Sequence, residues 1–145
     1  MDLRNPQEIE AQVEARFRTF LILWAGILIS VGLLSALGVI MPSKGTPNPT
    51  LSYALLGLGV MMVAVSFLLK PNLVQKAIDK NDVGALQSAH IVALALCESA
   101  TLFGIVNHFT TGSKISWLLF GISAVGIVSN FPNKDQIRAV SYKPE

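Results

Sequence analysis

Four stretches of this chain are apolar and almost free of charge, and short polar segments separate them. They cover residues 19–41, 51–69, 83–109 and 115–131, and Glu98 is the one Asp, Glu, Lys or Arg that falls inside them. A charge-free apolar run of about twenty residues is long enough for a helix to cross the hydrocarbon core of a bilayer. The pattern therefore predicts four transmembrane helices, at about 19–41, 51–69, 83–108 and 115–131. The expected fold is an all-α integral membrane protein: a four-helix bundle between a polar N-terminal segment, 1–18, and a polar C-terminal tail, 132–145.

The polar segments carry start and stop signals. Pro6 followed by Glu8, Glu10 and Glu14 predicts a short amphipathic or solvated helix, closed by Arg16 and Arg18. Its acidic start and the length of the next apolar run are wrong for a cleaved signal peptide. Pro42, Pro47 and Pro49 break the chain after the first span. After the second, Pro71 is placed to open a short helix. It would set Leu73, Val74, Ala77 and Ile78 against Lys76, Asp79 and Lys80, as in a cytoplasmic helix lying along the membrane interface. Asn81 or Asp82 is placed to cap the third span, and residues 109–114 turn the chain into the fourth. Trp24, Tyr53 and Trp117 lie near span ends, where amphipathic rings suit the headgroup region.

Charge adds an orientation. Four spans put both termini and the 70–82 segment on one side, with nine basic residues: Arg4, Arg16, Arg18, Lys70, Lys76, Lys80, Lys134, Arg138 and Lys143. Only Lys44 and Lys114 fall on the other side, so both termini are expected in the cytoplasm. The net charge of +2 is small and its basic residues are dispersed, so nucleic acid is not an expected partner. One cysteine and two histidines exclude an internal disulfide and give no zinc-site spacing. The Gly57-Leu58-Gly59 run lies inside a span, without the strand–turn–helix setting of a nucleotide fingerprint.

The third span carries what chemistry there is. Glu98 lies at the centre of its apolar part, 89–106, and no basic residue shares that depth on any span. An ionisable group in that position is a functional-site candidate by default. Its partners would be hydroxyls, with Thr101 one turn away and Ser30 and Ser123 near the midpoints of their own spans. Ala85, Ala89, Ala93, Cys97 and Thr101 recur every fourth residue, a ladder of small side chains along which a neighbouring helix can pack closely. Cys97 adjoins Glu98, so the ladder and the acid occupy adjacent faces. His90 and His108 lie near opposite ends of the span and cannot jointly ligate one haem within this chain.

The run Glu98-Ser99-Ala100-Thr101-Leu102-Phe103-Gly104-Ile105-Val106 resembles the carboxylate helix of the ring-forming proteolipid, subunit c, of rotary ATP synthases. The hairpin 51–108, with Lys70-Pro71 in its polar loop, is similar in topology. The resemblance implies a proton- or sodium-binding role for Glu98. It is close over nine residues only. Met61, Met62 and Val63 stand where that family has a sustained small-residue series, and its hairpin has no counterpart of the first and fourth spans.

No paired acids, activated nucleophile or metal cluster points to an enzyme, and no motif names a cofactor. The expected function is a non-catalytic accessory or structural subunit of a larger membrane complex, in contact with lipid and with other subunits or its own copies. The alternative is a proton- or sodium-translocating proteolipid-like subunit or small transporter that uses Glu98.

Overall fold

The computed structural model describes residues 6–142 as five helices: α1 Pro6–Ile40, α2 Pro49–Asp79, α3 Val83–Thr111, α4 Ile115–Ser129 and α5 Lys134–Tyr142. Three of them, α1 to α3, are long and apolar enough to cross a membrane; α4 and α5, bent by 45° at their break, make up to one more if counted together. Large apolar side chains cover the outside, with Ile22, Leu68 and Ile40 at least 70% exposed. The interior, in contrast, holds Ser52, Ser66, His90, Thr101, Asn107, Ser116 and Asn130. That distribution suits lipid and would be an aggregation hazard in water.

The third helix is central and touches all four others. Its start is fixed by Asp82, whose carboxylate accepts from the Ala85 amide, and its end by Gly112 at φ 63°. Asn48 caps α2 in the same way, accepting from Leu51 N–H. Glycines let α4 press onto α2 and α3. A Cβ on Gly59 would fall 2.3 Å from Leu119, one on Gly104 would fall 2.6 Å from Phe120, and one on Gly126 would fall 2.9 Å from Cys97 Sγ.

Two expected breaks are absent. The polar start and the first span form one continuous helix, α1, over the described part of 1–18 (residues 1–5, and Arg4 with them, lie outside it, as does Lys143). Residues 71–79 also do not form a separate interfacial helix, because α2 runs through Pro71 to Asp79. A proline inside a helix loses one amide bond and crowds the carbonyl four residues back. Here packing decides the outcome: Val74 and Ala77 are buried with Val13, Phe20, Leu86, Ala89, Ile137 and Val140 in a cluster at the end where the chain starts and finishes. The tail supplies the last two as α5. Its Lys134 meets Glu14 at 2.7 Å and its Arg138 meets Glu10 at 3.1 Å. This terminal end is thus a small bundle with exposed ion pairs, continuous with the apolar one. At the opposite, loop end, Gly45 lies against the backbone of Thr110 and Thr111.

Candidate functional site

Of the sequence-selected residues, Ser30 and Glu98 meet directly. Ser30 Oγ on α1 donates to Glu98 Oε1 on α3 at 2.7 Å, the one hydrogen bond this carboxyl makes among the described residues. Glu98 is half-buried at the α1–α3 edge. Its neighbour Cys97 is fully buried, so the adjacent faces anticipated for acid and ladder are physically distinct. Ala89, Ala93, Cys97 and Thr101 are likewise buried, and Ala85 is partly so.

Ser123 takes a different place from the one expected. Its Oγ donates to the backbone carbonyl of Cys97 at 2.7 Å and does not reach Glu98. That carbonyl already receives the helical amide of Thr101, so both its lone pairs are engaged. The consequence falls on Thr101. Ser99, Thr110 and Thr111 each donate to the carbonyl four residues back, but Thr101, fully buried, has no partner for Oγ1. The hydroxyl that should have used Cys97 O is displaced by a residue of another helix. Glu98 and Thr101, three apart, share one flank of α3.

One turn further toward the terminal end is a polar cluster that sequence reasoning missed. Cys97 Sγ lies 3.2 Å from Ser66 Oγ and 3.5 Å from Asn130 Nδ2. Asn130 Nδ2 also donates to Gly126 O at 2.8 Å. Lys70 Nζ donates to Asn130 O, and Trp24 Nε1 to Ile127 O. The end of α4, with its free carbonyls and negative dipole end, is thus closed by a cation from α2 and an indole from α1. The Lys70 ammonium is hydrogen-bonded to Asn130 O, and the partners of Cys97 Sγ are the neutral Ser66 and Asn130 side chains. His90 is buried against the edge of Phe20, with Nδ1 3.1 Å from Leu86 O and Nε2 unpartnered. His108 caps the loop end, its Nε2 3.0 Å from Met41 O.

The ion pairs found among the described residues lie at the terminal end. There Lys134, through its hydrogen bond and its charge, holds the Glu14 carboxyl below the usual carboxylate range. Among the described residues no group of three or more His, Cys, Asp or Glu side chains is arranged to hold a metal ion. Comparison with protein-family models, with curated proteins and with solved structures returned no match.

Proposed function

We propose that this chain is a four-span integral membrane protein with both termini in the cytoplasm, serving as a non-catalytic accessory subunit of a larger membrane assembly. Glu98 is the observation that supports this. It is a partly exposed carboxyl at the centre of the apolar part of α3, held by one hydroxyl and in no ion pair among the described residues. A carboxyl left against hydrocarbon is costly. A helix of another subunit, laid over the α1–α3 edge and offering a hydrogen-bond donor, removes that cost. The four-span count takes α4 as a short span whose exposed Trp117, Leu118, Val125 and Val128 suit lipid. The orientation rests on the nine-to-two distribution of basic residues. A photo-crosslinker at Leu102, exposed one turn from Glu98, is expected to capture one defined membrane subunit or a second copy in native membranes. A stable lone monomer in mild detergent, with no crosslink, would overturn the reading.

A second reading, reversible proton or cation binding at Glu98, is favoured by the Ser30 hydroxyl on the carboxylate and the idle Thr101 hydroxyl one turn away. The likeness to the rotor proteolipid belongs with this reading. Carbodiimide labelling of Glu98, slowed by sodium or by high pH, is the expected result. An unreactive Glu98 in native membranes excludes it.

A further inference from the structure

At the loop end, a hollow of about 290 Å³ opens between the start of α2 and the turn from α3 to α4. Its lining contains Asn48, Ser52, Tyr53, Thr111 and Ser113, and no Asp, Glu, Lys, Arg or His among the described residues. Ser52 and Thr111 form its floor and are 1% exposed, whereas Tyr53, at the rim, is 64% exposed.

The floor is the head of a hydrogen-bond chain whose direction is forced. Thr111 Oγ1 lies 2.8 Å from Asn107 O and 2.9 Å from Asn107 Oδ1, neither of which can donate, so the Thr111 proton points at Asn107. Ser52 Oγ, 3.1 Å from Thr111 Oγ1, must therefore donate to it. Beyond, Asn107 Nδ2 donates to Ser116 Oγ at 3.2 Å, and Ser116 Oγ to Ser113 O at 2.9 Å. Every proton points away from Ser52, whose oxygen accepts from no group among the described residues. Chains aligned in this way polarise one another and strengthen the acceptor at the head.

The chain does not lead to Glu98. It returns to a loop carbonyl at the same end, and the Phe120 ring, pressed against Gly38 and Gly104, fills the bundle between. A network that ends where it began does not conduct; it positions an acceptor. Donors stand around that acceptor. The Asn48 Oδ1 is taken by Leu51 N–H, leaving its amide N–H groups free, and Ser113 Oγ accepts from Ile115 N–H, leaving its own proton available. An uncharged hollow with an acceptor floor, donor walls and one exposed aromatic face has the chemistry of a site for a small neutral polyol. Such a ligand would place one hydroxyl on Ser52 Oγ and a C–H face on Tyr53.

We propose that this hollow binds a monosaccharide-sized neutral polyol. The test is saturation-transfer NMR on the full chain in lipid nanodiscs, with D-glucose as the probe and choline at equal concentration as the cationic competitor. Transfer to glucose ring protons is expected, with affinity falling about tenfold in Tyr53→Ala and retained in Tyr53→Phe. Tyr53 is exposed, so these variants keep the fold, which helix content by circular dichroism verifies. Ser52→Ala is expected to weaken the same signal. Absence of transfer to glucose, a signal unchanged in Tyr53→Ala, or stronger transfer to choline overturns the proposal.

Discussion

Replacing Thr101 by valine is the sharpest check on the site's hydrogen bonding. Thr101 is fully buried and its hydroxyl lacks a partner, because Ser123 has taken the second lone pair of Cys97 O. In an isolated α3 the hydroxyl would bond that carbonyl, so assembling the bundle costs it a partner. An unpaired buried hydroxyl costs about 1–3 kcal/mol by protein mutational data. Bilayers soften such terms, since interhelical hydrogen bonds there average about 0.6 kcal/mol. Thr101→Val, nearly the same shape, is therefore expected to stabilise the bundle by about 1 kcal/mol. The assay is SDS titration of the purified protein in mixed micelles, followed by Trp fluorescence. Ser123→Ala supplies the second half of the cycle. Alone it should be close to neutral, since Thr101 regains Cys97 O. In the Thr101→Val background it should cost the full bond, about 0.6 kcal/mol. Destabilisation by Thr101→Val would refute the reasoning, because it would mean that the hydroxyl binds a water or ion held between the helices.

Three further outcomes follow from packing and charge. Gly104→Ala drives a Cβ to 2.6 Å from Phe120 and is expected to cost about 1–3 kcal/mol in the same titration, with partial rescue by Phe120→Leu. Gly45→Ala places its Cβ 2.4 Å from the Thr110 backbone, which cannot swing aside, so it should be worse than Gly26→Ala or Gly57→Ala, which meet nothing within 4 Å. The Glu14–Lys134 pair makes α5 docking pH-dependent. The folded Glu14 carboxyl lies below its ordinary value of 4.5, so the contribution is complete above that value and is lost as pH falls through the folded one. A spin label at exposed Ala139 is expected to become mobile in acid, and Lys134→Ala should remove that dependence, whereas mobility independent of pH in the unaltered protein would contradict it.

Much of the site was legible because local chemistry dictates it. The Asp82 cap, the buried ladder on α3 and the pairing of Ser30 with Glu98 all follow from residue type, helical period and depth. Ser123 was misassigned because depth alone does not say which way a side chain points around its helix. Its hydroxyl went to a backbone carbonyl one residue from the acid. The Cys97–Ser66–Asn130 cluster joins three segments remote in sequence, and no spacing rule connects them. The apolar pair Ile137 and Val140, at helical spacing, was the available sign that the polar tail would fold and dock.

By itself the sequence determined where charge is tolerated, and hence which stretches become helices suited to lipid, because an unpaired charge in hydrocarbon costs more than local packing returns. It also determined that Glu98 would need a hydroxyl, since no cation stands at its depth. Tertiary structure decided continuity and direction. Whether α2 passes Pro71, whether α5 docks, and which hydroxyl reaches Glu98 depend on contacts between helices, which a single helix's periodicity does not encode.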